Sequence, residues 1–159
     1  MPAIRQEEMN MSQGRIRAVA LCVFHHQGRI LVNQAYDPVK EQHYYRPLGG
    51  GIEFGESSVQ AVAREIREEL GLEVLEPRLL GALENLFTYA GRPGHEIVMV
   101  YDGRFADAET YLRTELPGNE SDGQPFTAVW RGIADFDEGT PLYPNGLGEL
   151  LRAQGLFGA

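Results

Sequence analysis

Three glutamates, Glu65, Glu68 and Glu69, lie close together in a segment whose pattern predicts a helix. Side chains three and four positions apart on a helix are neighbours, so these carboxylates are expected to converge on one sector. Carboxylates held so close together repel one another. Hard divalent cations such as Mg²⁺ or Mn²⁺ bind carboxylate oxygens and leave coordination positions open for phosphate. Such a cation would compensate the repulsion.

Three consecutive glycines, Gly49, Gly50 and Gly51, precede this helix. An acidic cluster alone is more often a solvated helix face. Glycines let the backbone turn tightly and approach a bound group closely, so their presence beside the cluster favours the cation site. The segment contains neither G-x-G-x-x-G nor the G-K-[ST] element, which excludes a dinucleotide fingerprint and a P-loop.

The charge balance limits the ligands of such a site. The chain has 23 acidic and 14 basic residues and a net charge of −9. This balance lacks the basic surface that holds nucleic acid phosphates, so binding to a nucleic acid duplex is not expected. A phosphorylated small molecule would also be repelled unless a cation bridged it to the protein.

The elements that must position these residues are mostly strands, predicted over residues 15–24, 29–33, 79–89, 96–105 and 126–132. A turn over residues 25–28 would make the first two strands a hairpin. One helix is predicted from Ser57 or Ser58 to Leu70 with Gly71 as its stop, and another over residues 146–154. This irregular order favours a mixed sheet sandwiched by helices.

The first helix should place an apolar stripe against the sheet, formed by Val59, Val62, Ala63, Ile66 and Leu70. Arg64 lies one turn before Glu68 and can pair with it or with Glu56 in the preceding segment. In either case the guanidinium would orient a carboxylate.

A chain of 159 residues fits one domain, which we assign to residues 15–159, with residues 1–14 as a flexible polar tail. The longest apolar run, residues 18–24, is too short to span a bilayer, and the N-terminal stretch lacks the apolar region of a secretory signal. We therefore expect a cytoplasmic protein without membrane contact. The single cysteine, Cys22, has no partner for an internal disulfide and is expected to pack in the core.

A longer pattern joins the glycines to the acidic helix. Gly50, five residues, Glu56, seven residues and the run REIREELGL over residues 64–72 resemble the Nudix hydrolase signature at every specified position. One residue departs from the family's usual pattern, because Leu48 stands where proline commonly precedes the two glycines. We therefore expect the glycine loop to bend differently there. The resemblance implies an α/β/α sandwich with a mixed β-sheet.

The resemblance also implies roles for individual residues. The implied metal ligands are Glu65, Glu68 and Glu69, with the backbone at Gly50 close to the cation. Glu68 or Glu69 would accept the proton of the attacking water, with Glu53 as the remaining candidate. Arg64 and Glu56 would orient these groups.

Residues outside the signature are expected to complete the site. Family members often use an acidic residue from a later loop, for which Glu120, Asp122 and Glu96 are the candidates. Upstream of the glycines, Arg46 could contact a phosphate and an aromatic residue such as Tyr45 could stack on a base. Core packing of that aromatic residue is an equally good interpretation.

The implied reaction is hydrolysis of a pyrophosphate bond in a small-molecule nucleoside diphosphate derivative, with Mg²⁺ or Mn²⁺ as cofactor. A different class of function stays open, namely a nucleotide-binding or protein-interaction module without hydrolysis. The complete signature favours the enzyme. The sequence leaves open which nucleotide is the substrate, how many metal ions bind, and whether the chain forms a homodimer, because specificity resides in loops and pocket shape.

Overall fold

The computed structural model describes residues 14–157, so all of the predicted N-terminal tail except Gly14 lies outside the described residues. It contains nine strands: β1 Ile16–Val23, β2 His25–His26, β3 Arg29–Asp37, β4 Gln42–Arg46, β5 Leu48–Gly51, β6 Val74–Tyr89, β7 Arg92–Phe105, β8 Glu115–Asn119 and β9 Pro125–Gly132. Two α-helices are described, α1 Ser58–Leu70 and α2 Leu147–Ala153, with short 3-10 turns at Ala108–Leu112 and Ile133–Asp135.

The strands form two sheets. The first has the order β5-β1-β7-β6 and is mixed, because β1 and β7 run parallel whereas the other pairs are antiparallel. The second has the order β2-β3-β9-β8, with β4 also paired to β3, and is antiparallel. The predicted mixed sheet is therefore confirmed.

The predicted hairpin between the first two long strands is wrong. Only the two-residue β2 pairs with the start of β3, while β1 lies between β5 and β7 in the other sheet. Residues 19–23 of β1 are all fully buried. A strand that is apolar on both faces belongs in the middle of a covered sheet, and an edge hairpin would have left one of those faces in water.

Two apolar cores lie on opposite faces of the first sheet. Ala20 and Cys22 face the core beneath α1, together with Val62, Ile66 and Trp130. The alternate residues of β1 face the core beneath α2, which includes Val19, Leu21, Val23, Leu147 and Leu151. A sheet covered by a helix on each face is the expected α/β/α sandwich, and Cys22 has the predicted core position.

Helix α1 begins and ends as its sequence predicts. Ser57 is the N-cap, its side chain accepts a hydrogen bond from the Gln60 amide, and the Gln60 side chain accepts one from the Ser57 amide. Gly71 ends the helix with a φ of 69°, a conformation that glycine adopts without the strain other residues incur.

The predicted buried stripe of α1 needs a correction. Val62 and Ile66 are buried as expected, but Val59 is exposed, and the buried face also includes Ala61, Glu65 and Glu69. The helix is therefore rotated so that two of its carboxylates, rather than Val59, turn inward toward the sheet. No helix within residues 14–157 has both the length and the apolar character needed to cross a membrane.

Candidate active site

The glycine run is a strand rather than the predicted loop. β5 pairs with β1 in register, with Gly50 opposite Ala20, and Leu48 is buried in the core beneath α1. Gly49 has a φ of 143°, and a Cβ atom placed there would overlap the carbonyl oxygen of Ala20. Close backbone approach, and not only a turn, therefore requires glycine in this strand.

Gly50 makes room for a carboxylate. A Cβ atom on Gly50 would lie 2.6 Å from the Cδ atom of Glu65 and 2.7 Å from its carboxylate oxygens. The Glu65 carboxylate therefore lies directly against the backbone of β5. This contact joins the first glycine of the signature to the first glutamate of its helix.

Arg64 pairs with both of its predicted partners, Glu56 and Glu68. Its guanidinium donates to both carboxylate oxygens of Glu56, at 2.7 and 2.8 Å, and to the Gly51 carbonyl oxygen at 3.0 Å. It also donates to Glu65 at 3.0 Å and to Glu68 at 3.2 Å. The hydrogen bonds that Arg64 donates to Glu56 lower the pKa of Glu56 to about 2. Glu56 therefore stays ionised and keeps its bidentate contact with Arg64.

Glu65 and Glu69 are the inward carboxylates of α1, with 9% and 8% of their surface exposed. Burial raises the pKa of Glu69, and hydrogen bonding to Glu65 and the charges of Glu65 and Glu120 raise it further, against an opposing effect of Arg46. Without a cation, burial and the neighbouring carboxylates therefore favour the protonated form of Glu69. Burial is the largest cause of this shift, and the charge of Glu65 adds the repulsion expected of neighbouring carboxylates.

We expect the stability of the cation-free protein to fall as pH rises above 4.5, the ordinary pKa of this carboxyl. Above that pH the unfolded chain has lost the proton that folded Glu69 retains, so ∂ΔG/∂pH is negative until the folded-state pKa is passed. One proton gives a slope of at most about 1.4 kcal/mol per pH unit. Urea unfolding between pH 5 and 8 should show a smaller fall for Glu69→Gln than for the wild type. The exposed control Glu73→Gln should retain the wild-type slope, and equal slopes in all three proteins would contradict the prediction.

One pocket of the structure is lined by residues of β3, β4, β6 and α1, including Asn33, Arg46, Asn85 and Glu69. The candidates Glu68 and Glu53 lie outside it. The Glu68 side chain is 54% exposed and is bound to Arg64. The Glu53 side chain is 70% exposed and lies 3.9 Å from Arg64. Neither residue lines the pocket that Glu69 lines, and Glu53 instead borders a second pocket beside Gly51.

The three later acidic candidates have different positions. Glu120 follows β8, lines the pocket and is close enough to Glu69 to raise its pKa, while its Oε1 accepts a hydrogen bond from Asn33 Nδ2 at 3.2 Å. Asp122 accepts a hydrogen bond from the Gln124 amide inside the β8–β9 turn. Glu96 lines the pocket but is buried and paired with Arg17 at 3.0 Å. Of the three, Glu120 is brought to the α1 carboxylates.

The two substrate-binding candidates in β4 lie on opposite faces of that strand. Arg46 lines the pocket, and its charge acts on Glu69. The proposed stacking residue Tyr45 is instead buried in the core beneath α2, where its hydroxyl accepts a hydrogen bond from Arg131. Successive side chains alternate across a strand, so the aromatic ring on the Arg46 face is Tyr44, which lines the pocket. Core packing, the alternative interpretation of Tyr45, is therefore what the structure supports, and Tyr44 is the tyrosine of β4 that lines the pocket.

A comparison with protein families matches the NUDIX domain model to residues 14–144, which is most of the chain. This chain belongs to the Nudix family. The match includes β5, α1, Glu120 and the pocket-facing strands, so the resemblance carried by the signature extends across the site.

Individual Nudix proteins resemble this chain to different extents. It is 34% identical over 112 residues to the NAD-capped RNA hydrolase NudC of Mycobacterium tuberculosis, covering 64% of this chain and 34% of that protein. The chain thus spans about a third of the length of that relative. It is 26% identical over 145 residues to the uncharacterized Nudix hydrolase YvcI of Bacillus subtilis, covering 89% of this chain and 84% of that one.

Solved structures agree on the fold. The MutT NUDIX hydrolase of Burkholderia pseudomallei superposes with a TM-score of 0.62 at 21% identity, covering 87% of this chain and 97% of that one. The MutT protein of Methanosarcina mazei gives a TM-score of 0.57 at 17% identity, with coverages of 87% and 91%. These likenesses support the Nudix-type sandwich.

Within residues 14–157, no three His, Cys, Asp or Glu side chains are already gathered closely enough to hold a metal ion. The inward pair of this Nudix site nevertheless fits a hard cation. Glu65 and Glu69 supply buried carboxylate oxygens, one of them with a raised pKa, and the missing Cβ of Gly50 leaves the backbone open beside them. A divalent cation bound there would compensate the negative charge of Glu65 and Glu69 in place of a proton on Glu69.

Several pocket residues of this Nudix chain were not predicted from the sequence. They are Asn33, Lys40, Asn85, Tyr89 and Tyr143. They come from elements distant in sequence, and only the sheet topology brings them to one pocket. Within β4, by contrast, strand alternation from Arg46 could have favoured Tyr44 over Tyr45.

Proposed function

We propose that this chain is a metal-dependent pyrophosphohydrolase that cleaves the pyrophosphate bridge of a nucleoside diphosphate derivative. The observation that carries the proposal is the buried Glu65–Glu69 pair beside Gly50, with Glu69 lining a pocket that Arg46 and Glu120 also line. Such a site can bind a cation through its carboxylates and an anionic substrate through that cation and the arginine.

In this mechanism Glu65, Glu69 and Glu120, with the backbone at Gly50, would hold Mg²⁺ or Mn²⁺. When bound, the cation neutralises the pyrophosphate and makes a water molecule more acidic. Arg64 keeps Glu65 oriented through its hydrogen bonds and stays outside the reacting atoms. Arg46 lines the pocket, where its guanidinium would bind a phosphate oxygen.

The bond changes follow from attack of water at phosphorus. The water oxygen bonds to one phosphorus, the bridging oxygen leaves with the other phosphate, and a carboxylate accepts the water proton. We assign Glu69 as the acceptor of that proton, because it lines the pocket. The side chains of Glu68 and Glu53 are largely exposed. Glu68 remains available as a further carboxylate at the outer side of the site.

The test is hydrolysis in ¹⁸O-labelled water, followed by mass spectrometry of the products. A panel of pyrophosphate-bridged substrates should include NAD, because one relative is named as an NAD-capped RNA hydrolase. We expect one ¹⁸O atom in one phosphate product, dependent on Mg²⁺ or Mn²⁺ and lost in Glu69→Gln. Metal-dependent nucleotide binding without product from any substrate would overturn the proposal and support the non-catalytic module.

We expect Mg²⁺ or Mn²⁺ to stabilise the folded protein, because an ion that binds only the folded state adds RT ln(1 + [L]/Kd). At about 100 times Kd this is about 2.7 kcal/mol. The stabilisation should be lost in a Glu65→Gln, Glu69→Gln double variant. A Glu73→Gln, Glu76→Gln double variant removes two exposed carboxylates instead and should keep it. Thermal unfolding with and without cation measures the difference, and equal gains in both variants would locate the cation elsewhere.

A further inference from the structure

An amide in the pocket has an unsatisfied hydrogen-bonding atom. Asn85 on β6 is 5% exposed and lines the same pocket as Glu69. Among the described residues, none donates a hydrogen bond to its buried Oδ1 atom. Buried polar atoms without partners are rare in folded proteins, and this one belongs to a residue in the wall of a pocket, which points to a ligand.

The neighbours of Asn85 explain why the atom has no protein partner. Asn85 pairs across strands with Glu96, and Glu96 pairs with Arg17, so the three side chains form a polar row on one face of the first sheet. The Glu96 carboxylate accepts a hydrogen bond from Arg17 at 3.0 Å and lies 3.9 Å from Arg46. Glu96 therefore contacts both arginines, while Oδ1 of Asn85 receives no hydrogen bond from the described residues.

Aromatic rings line the same pocket as this row. Tyr44, Tyr89 and Tyr143 line the pocket, with ring centroids 6.3 Å apart for Tyr44 and Tyr89 and 5.4 Å apart for Tyr44 and Tyr143. Flat aromatic walls suit a planar ring, and a buried acceptor suits an N–H group on its edge. A nucleobase has both features. Its phosphates would extend toward Glu69 and Glu120.

We propose that Asn85 reads the nucleobase of the substrate by accepting a hydrogen bond from a base N–H group at Oδ1. This assignment rests on the proposed function for the identity of the ligand. It makes Asn85 a specificity-determining residue, separate from the carboxylates that act on the pyrophosphate.

The test measures binding by titration calorimetry with nucleoside monophosphates and with ribose 5-phosphate, which has the phosphate and sugar but no base. Wild-type protein should bind at least one of AMP, GMP, CMP and UMP about tenfold more tightly than ribose 5-phosphate. Asn85→Leu should reduce this difference by about two- to tenfold, the share of one hydrogen bond, and leave the affinity for ribose 5-phosphate unchanged. The exposed control Asn145→Leu should keep it.

Thermal unfolding distinguishes this role from a structural one. Replacing an unsatisfied buried amide by an apolar side chain of similar size should leave Tm unchanged or raise it. A lower Tm in Asn85→Leu with the base preference intact would overturn the proposal, because Asn85 would then support the fold alone. An equal loss of affinity for all ligands would also overturn it.

Two further comparisons keep the test decisive. If Asn85→Leu does not fold, wild-type protein is compared with AMP and with the analogue whose 6-amino group is replaced by hydrogen, and the same is done for the other bases. Wild-type binding that never depends on a base N–H group would overturn the proposal. Binding needs no hydrolysis, so a chain that yields no ¹⁸O product but keeps the Asn85-dependent preference would refute only the proposed catalysis.

Discussion

Replacing Glu69 by glutamine is expected to lower kcat by about 10²–10⁴-fold while the folded protein stays intact. The substitution keeps nearly the same volume but removes a carboxylate that we place at the reacting pyrophosphate. Because Glu69 has a raised pKa in the cation-free protein, its loss should not destabilise that form at neutral pH. Steady-state kinetics and urea unfolding of the same variant measure the two effects.

Ile66→Ala is the opposite control on the same helix. Ile66 is fully buried in the core beneath α1, so its truncation leaves a cavity and should cost about 2–5 kcal/mol of unfolding free energy. At temperatures where the variant is folded, its kcat should stay near the wild-type value. If Glu69→Gln instead lost as much stability as Ile66→Ala, Glu69 would belong to the fold rather than to the chemistry.

The second large effect is expected from alanine at Gly49, one residue before the first glycine of the signature. The added Cβ would overlap the Ala20 carbonyl and lie 2.8 Å from the Cα atom of Leu21, at a φ of 143°. Both contacts are backbone, so neither can move aside. We expect Gly49→Ala to cost at least about 3 kcal/mol, measured by urea unfolding.

Gly50→Ala makes the same chemical change at the next residue, with a different expected result. Its Cβ meets the end of the Glu65 side chain, which can rotate away at a smaller cost in stability. Metal affinity and kcat should fall instead, by about 10–100-fold, because the carboxylate is displaced. A large stability loss in Gly50→Ala with unchanged metal affinity would contradict the assignment of Glu65 to the cation.

Local features of this chain follow directly from its sequence. The caps of α1 at Ser57 and Gly71 and the pairing of Arg64 with Glu56 depend on residues near one another in the chain. Such interactions have fixed offsets, so spacing predicts them. The full signature likewise led to the correct family and to the α/β/α sandwich.

Features that depend on distant pairing were harder to predict. The burial of Tyr45 and the pocket position of Tyr44 follow from which face of β4 meets the core, and that face is fixed only when β4 pairs with β3. The rotation of α1 depends on contact between Glu65 and a glycine strand, which propensity does not report. Asn85 belongs to no motif, and only its register opposite Glu96 brings it to the pocket.

Because both faces of β1 are buried, the chain cannot be truncated at the end of its family match without loss of core residues. The family match ends at residue 144, before α2 begins at Leu147. Yet Leu147 and Leu151 belong to the same buried core as Val19 and Leu21 of β1. A recombinant fragment trimmed to the matched residues would expose Val19 and Leu21 to water, at the strand that also pairs with the glycines of the site. The boundary of sequence similarity therefore falls inside the cooperative folding unit, and a minimal fragment has to extend through α2.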